Sequence, residues 1–235
     1  VGRQVEEQIT HRFPVGQRLR VLDVGMGQGT QALRLARAGH KVTGLEQDPD
    51  MLAVAHAALA AEPAGIQDRV QLLEGDGRET GAHFVPGSFD VVLCHGVLMY
   101  VPEADAMLAG LARMLAPGGL LSLLVRNGDA LALRPGMAGD WAGALAAFDT
   151  VDYTNRLGLD VRADRLADLT ATLSGIGAPL STWYGVRVFT DGTEAGAELP
   201  PDEELEALLA AEERAGRTDP YRSVAALLHL CGVRG

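Results

Sequence analysis

"VLDVGMGQGT", Val21 to Thr30, is the stretch whose reading decides how this chain is organised. Its opening residues are apolar apart from Asp23 and read as a buried strand, after which glycines stand at 25, 27 and 29. Glycine reaches backbone conformations closed to other residues and carries no side chain, so a ligand can lie against bare main chain in such a turn. A helix beginning behind the turn adds unpaired N–H groups. A phosphate-cradling loop of the G-x-x-x-x-G-K-[ST] type is excluded, because no Gly-Lys-Ser/Thr follows. The dinucleotide fingerprint is G-x-G-x-x-G, whereas these glycines run G-x-G-x-G and Thr30 holds the place of the third fingerprint glycine. Glu46, near the end of the next apolar run, suits a dinucleotide or a plain nucleoside, since both offer ribose hydroxyls to a carboxylate. A turn that holds no ligand is the third option.

Outward from this turn, apolar runs alternate with helical patterns. "LRVLDVG" (19–25) is the first strand, and "TQALRLARAG" (30–39) a helix with Leu33, Leu35 and Ala36 on its apolar face and Gly39 as its stop. "HKVTGLEQ" (40–47) is the second strand, followed by a helix from Asp48, an N-cap, and Pro49 at its first position. "RVQLLEGD" (69–76) and "SFDVVLCHG" (88–96) are the third and fourth strands. "EADAMLAGLARML" (103–115) is a helix, "APGG" (116–119) its stop, and "LLSLLVRN" (120–127) the fifth strand. This spacing predicts βαβ units and a doubly wound, mostly parallel sheet. The rhythm breaks at 128–162, a glycine-rich stretch with Trp141, Phe148 and Tyr153, too long for a plain connection and expected to be a lid or substrate insertion. A helix (163–177), an alternating strand (181–191), an acidic helix (201–216) and a closing strand (223–233) complete the chain. The expected organisation is one domain: a ligand-binding half at 1–127, the insertion at 128–162, and a C-terminal helix with two strands at 163–235. Periodicity does not order the strands.

Composition sets the class. The chain has 235 residues, 47% hydrophobic and 22% charged, as soluble globular domains do. No run approaches the roughly 18 apolar residues of a membrane helix, and no charged start with an apolar core and cleavage site is visible. Cys94 and Cys231 are too few for a disulfide framework, so a cytoplasmic protein is expected. The histidines lack the clustering a metal site requires, and no metal is expected. Net charge is −11, and residues 190–220 hold ten acids against Arg214 and Arg217, so the acidity is concentrated in one segment. No basic stripe announces nucleic-acid binding.

D-x-G-x-G-x-G at 23–29, an acid ending the second strand (Glu46), an acid after the third (Asp76) and Pro-Gly-Gly before the fifth together resemble a class I S-adenosylmethionine-dependent methyltransferase over residues 19–127. The resemblance implies a Rossmann-like seven-stranded fold and a nucleoside cofactor with a sulfonium side chain. It implies that the methionine portion lies along Gly25, Met26 and Gly27, in space that a side chain at 25 or 27 would fill. Glu46 would accept from both ribose hydroxyls without holding the core, Asp76 from the adenine amino group, and Gly77 would donate its N–H to a ring nitrogen. Met26 and Gln47 would flank the ligand.

Three further stretches, "GRQ" (2–4), "CHGVLMYV" (94–101) and "GVRVFTD" (185–191) with "DPYRSVAALLHL" (219–230), are similar to the tRNA wobble-uridine 5-carboxymethoxy methyltransferases. By that resemblance Arg3 would contact the cofactor carboxylate and His95 would line the pocket beside the donor methyl. The family's leading helical segment is expected to be cut short here. A carboxylate acceptor is ionised at neutral pH, with a pKa of roughly 4, and needs no general base. It does need cations or donors to orient it, and the candidates are Arg126, Arg134, Tyr153, Tyr184, Arg187 and Tyr221, with His95 as base should the acceptor be a hydroxyl or amine. Alternation with Val186 and Val188 places Arg187 on the opposite sheet face. The acceptor is expected to be tRNA or, because the acidic helix would repel phosphates, a small metabolite. A binding protein without catalysis is the remaining alternative.

Overall fold

A computed structural model describes residues 1–155, 157–192 and 200–235. In chain order its helices and strands are α1 (Gly2–Arg12), β1 (Arg20–Val24), α2 (Thr30–Arg37), β2 (Lys41–Glu46), α3 (Pro49–Ala60), α4 (Ala64–Gln67), β3 (Val70–Glu74), α5 (Thr80–His83), β4 (Phe89–His95), α6 (Ala104–Met114) and β5 (Leu115–Arg126). They continue with α7 (Leu133–Met137), α8 (Trp141–Ala146), β6 (Asp152–Thr154), β7 (Asp160–Arg162), α9 (Leu166–Gly175), β8 (Leu180–Val186), α10 (Asp202–Ala215) and β9 (Leu227–Val233).

Seven strands form one mostly parallel sheet in the order β3-β2-β1-β4-β5-β9-β8. β1 runs parallel to both β2 and β4, and β2 parallel to β3. The order therefore reverses between β1 and β4, and in such sheets the ligand crevice opens at the carboxyl ends of the strands flanking the reversal. Val21, Leu22 and Val24 of β1 are completely buried, as parallel strands covered on both faces require. Each such side chain stabilises the fold by about 1.5–3 kcal/mol. Asp48 caps α3 as expected, its carboxylate accepting from the N–H groups of Asp50 (2.8 Å) and Met51 (3.3 Å).

Several boundaries differ from expectation. Residues 116–119 are not a stop before β5 but its first part, bent at Gly118, whose φ is +74°. β8 ends at Val186 rather than 191, because Arg187 takes φ +61°, and the alternation argument for Arg187 therefore fails. Residues 221–224 form a 3₁₀ turn, so the last strand starts at Leu227 instead of 223. The 128–162 segment is more ordered than its glycines suggest: it holds α7, α8 and an antiparallel β6–β7 pair that sets Tyr153 opposite Val161.

The chain divides into two compact units: Val1–Leu123 with Thr170–Ser181 and Leu230–Gly235, and Leu124–Leu169 with Thr182–His229. In the first, α1 is an element the sequence pattern did not announce, since only Val5 and Ile9 mark its apolar stripe. They are 1% and 9% exposed, whereas the Glu6–Arg34 ion pair beside them is over 40% exposed on both sides. Burial holds this helix; exposed pairs contribute little. In the second unit, the buried Asn127 side chain donates to the carbonyls of Ser223 (3.0 Å) and Ala225 (2.8 Å), tying the end of β5 to the turn before β9. Glu194 and Glu198 of the acidic segment lie outside the described residues.

Candidate functional site

Gly25, Gly27 and Gly29 all have positive φ (+65°, +55° and +79°), so the turn after β1 is closed to most side chains on backbone grounds alone. Their surroundings differ. A β-carbon on Gly25 would collide with the Val97 side chain, so at this position the excluded neighbour is protein rather than ligand. A β-carbon on Gly27 would meet nothing within 4 Å: the open space lies there. Gly29 caps α2, and Ala55 and Leu33 sit against it. Met26 is 7% exposed, with its sulfur where a Gly44 side chain would begin.

The strand register brings the predicted residues of the first unit to one edge. Val24 lies level with Leu45 and Cys94, and Glu46 with Glu74, so the turn, Glu46, the Gly75–Gly77 bend and His95 all follow the carboxyl ends of adjacent strands. Glu46 is 7% exposed and accepts from Gly27 N–H (2.8 Å) with one oxygen and from Gln47 (2.9 Å) and Asp48 (3.0 Å) N–H with the other. Gln47 itself is exposed beside it. Asp76 caps a 3₁₀ turn by accepting from Arg78 N–H (2.8 Å), and the Arg78 guanidinium grips the same carboxylate and holds its pKa below the usual range. Gly77 is glycine because a β-carbon would press on Val24 and Met107. Arg3 is exposed on α1.

His95 closes β4 and pairs through Nε2 with Ser122 Oγ at 2.9 Å. Burial drives its pKa down to about 4, so the imidazole is neutral near pH 7 and a weak base. Asp23, on the neighbouring β1, is 3% exposed, and burial pushes its carboxyl up to about 7. One of its oxygens, Oδ2, has no hydrogen-bond partner among the described residues.

In the second unit a cavity of about 500 Å³ is walled by the end of β5 and by residues 131–155, from Arg126 through Arg134, Asp140 and Thr150 to Tyr153 and Asn155. Of the residues proposed to orient an acceptor, it collects Arg126, Arg134 and Tyr153. It does not collect the others. Tyr184 is 5% exposed, stacked on His229 at 5.7 Å and covered by Arg217. Arg187 turns to the Thr190 carbonyl (3.3 Å), and Tyr221 is 52% exposed. Trp141 and Phe148 are 70% and 71% exposed and do not line the cavity.

Comparison with known proteins fits this arrangement. A family profile described as a methyltransferase domain matches residues 22–123. Over 214 residues the chain is 30% identical to the tRNA 5-carboxymethoxyuridine methyltransferase of Escherichia coli K12, spanning 91% of this chain and 79% of that protein. This chain belongs to the class I S-adenosylmethionine-dependent methyltransferases. The methyltransferase is also 38% identical over 108 residues to the ubiquinone biosynthesis O-methyltransferase of Xanthomonas euvesicatoria, 46% of this chain and 43% of that one. Its fold is that of an S-adenosylmethionine-dependent methyltransferase from Mesorhizobium loti (TM-score 0.64, 20% identity, 97% and 96% of the two chains). It is also that of magnesium protoporphyrin IX methyltransferase from Synechocystis with bound S-adenosylhomocysteine (TM-score 0.62, 19% identity, 100% and 83%).

The cofactor of the methyltransferase is S-adenosylmethionine, and the residues at the carboxyl edge fit it. There is open room over Gly27, a carboxylate at the end of β2, and an unpaired carboxylate oxygen on Asp23. Among the described residues no group of three or more His, Cys, Asp or Glu is placed to hold a metal ion, and no helix is long and apolar enough to cross a membrane. Sequence reasoning missed Val97, Arg78 and Ser122. Arg78 carried a signal, standing two residues after an acid that opens a turn; Val97 and Ser122 act only across the fold.

Proposed function

We propose that this methyltransferase esterifies a carboxylate, that of a 5-carboxymethoxy group on a wobble uridine in tRNA, and that the cavity of the insertion receives it. The observation that carries the proposal is the convergence of Arg126, Arg134 and Tyr153 on one cavity, two guanidinium groups and a phenol whose N–H and O–H donors suit orienting an anion. The 30% identity over nine-tenths of the chain to a protein named for this acceptor supports it. When bound, the cofactor supplies a methyl group activated on a sulfonium. The protein's share is alignment of acceptor and methyl. A carboxylate with a pKa of roughly 4 is already ionised, so no residue need remove a proton. A neutral, weakly basic His95 is consistent with that.

For the cofactor itself we assign Glu46 to the ribose hydroxyls, Asp76 and the Gly77 N–H to the adenine, and the turn from Gly25 to Gly29 to the methionine portion. Arg3 would meet its carboxylate, and Met26 and Gln47 would flank the ligand. His95, kept in place by Ser122, would line the space beside the methyl.

A small-molecule acceptor is the second reading. It is favoured by the 108-residue match to the ubiquinone biosynthesis enzyme and by exposed acids Asp202, Glu203, Glu204 and Glu206 on α10, which oppose phosphate binding. Incubation with radiolabelled S-adenosylmethionine and bulk tRNA lacking the methyl ester separates the two. The tRNA reading expects label that is released by ribonuclease and by mild alkali, and an acceptor KM raised by Arg134→Ala. Label confined to small molecules of an extract would establish the second.

A further inference from the structure

One carboxylate of the acidic helix α10 is turned to the backbone of the loop at 188–190. Glu212 is half-buried and accepts four hydrogen bonds: from the N–H groups of Val188 (2.8 Å), Phe189 (2.9 Å) and Thr190 (3.0 Å), and from Thr190 Oγ1 (2.9 Å). Three successive amides converge on one point because Arg187 takes φ +61° just before them, a left-handed residue followed by a loop that forms an anion-binding nest. An arginine adopts that conformation only where its surroundings enforce it. The anion seated in this nest belongs to the chain itself.

The loop so fixed presents the next residue, Asp191, to Arg126. Asp191 accepts from both terminal nitrogens of the guanidinium at 3.0–3.1 Å, and the two side chains are only 17% and 11% exposed. Burial alone would raise the Asp191 pKa, but Arg126, with Arg187 and Arg134, holds it below the usual carboxylate range, so the pair is charged. The Arg126 guanidinium then lies 5.6 Å from the centre of the Tyr153 ring, and both residues wall the cavity.

We propose that Glu212 is a positioning residue for the acceptor cavity: through the 188–190 loop and Asp191 it fixes the orientation in which Arg126 and Tyr153 meet the acceptor. This rests on the assignment of that cavity to the acceptor. It gives α10 a role in specificity that does not require its acidic surface to bind anything. Arg134, which also lines the cavity, is left to compensate the acceptor's charge, while Arg126, already neutralised by Asp191, supplies shape and directed N–H groups.

The test compares Glu212→Ala, Glu212→Gln and Asp191→Asn in the full chain, by amide hydrogen exchange and by kinetics with bulk tRNA lacking the methyl ester. Glu212→Ala should expose the amides of 188–190, accelerate exchange at 152–154, and raise the acceptor KM roughly ten-fold while the cofactor dissociation constant stays constant. Glu212→Gln keeps one acceptor oxygen, loses chiefly the Val188 bond, and should fall between parent and Ala; it decides the matter if the Ala variant does not fold. Glu212→Ala and Asp191→Asn should be non-additive in acceptor KM, since they act along one path. Faster exchange confined to 188–190 with an unchanged KM overturns the proposal. If the parent does not methylate this tRNA, the acceptor assignment has failed, and the exchange at 152–154 alone decides whether Glu212 controls the cavity wall.

Discussion

The carboxylate of Glu46 accepts a hydrogen bond from the backbone N–H of Gly27 at 2.8 Å, which fastens the glycine turn of β1 to the end of β2. With the Gln47 and Asp48 amides on its other oxygen, three of about four lone-pair sites are in use. A two-toothed grip on ribose hydroxyls therefore requires at least one backbone bond to yield. The Gly27 N–H, beside the open space of the turn, is the one placed to be exchanged.

Glu46 is therefore also a backbone anchor, beyond the ribose contact expected of it. Glu46→Ala leaves three amides without their acceptor and should lower stability by about 1–3 kcal/mol in chemical denaturation. Glu46→Gln, which keeps one acceptor oxygen, should retain most of that stability yet weaken S-adenosylmethionine about ten-fold in calorimetric titration. In the parent, cofactor binding should shift the Gly27 amide resonance. An unperturbed Gly27 signal in the saturated complex would remove the exchange from the account.

Gly25 and Gly27 share a left-handed conformation but differ in surroundings, and their alanine variants should separate accordingly. Either substitution costs about 1–2 kcal/mol for the backbone. Gly25→Ala adds about 1–3 kcal/mol of overpacking against Val97, which Val97→Ala should partly restore. Gly27→Ala meets no neighbour, so its excess loss should be in cofactor affinity. Thermal melts with and without S-adenosylmethionine distinguish the two patterns.

Asp23 and His95 bend the stability–pH curve in opposite senses. Asp23 has its folded pKa raised from 3.8 to about 7, so between those values the native state keeps a proton that the unfolded chain releases. Its contribution is complete below the lower value and is lost as pH rises to the upper. His95 is lowered from 6.5 to about 4, so in that window the unfolded chain binds a proton that the native state refuses, and stability falls as pH drops. Denaturation midpoints should therefore show Asp23→Asn gaining on the parent as pH rises toward 7. His95→Gln should gain on the parent as pH falls toward 4. Parallel curves for parent and both variants would mean that neither group is shifted.

Trp141 and Phe148 are exposed, not packed into a gap, so Trp141→Ala and Phe148→Ala should change stability by no more than about 0.5 kcal/mol. Any loss of methyl transfer to tRNA then reports a contact with the acceptor. A large drop in melting temperature would instead return these rings to the core.

The sequence by itself determined the alternation of β and α, the glycine turn and the acids that follow the strands. These are local facts: a buried parallel strand is an apolar run, a turn of positive φ needs glycine, and Asp48 beside Pro49 starts a helix wherever it is placed. Only the tertiary structure decided the strand order that sets Glu46, Asp76 and His95 on one edge, and that Val97, not a ligand, is what Gly25 must avoid. It also decided which cations serve the cavity. Arg126, Arg134, Arg187 and Tyr184 look alike in sequence. Arg187 was misplaced because β8 stops one residue before it, in a left-handed conformation that period-two alternation cannot register. Glu212 looked like one more acid in a charged helix, because the amides it binds lie more than twenty residues away and become a site only when a loop turns them together.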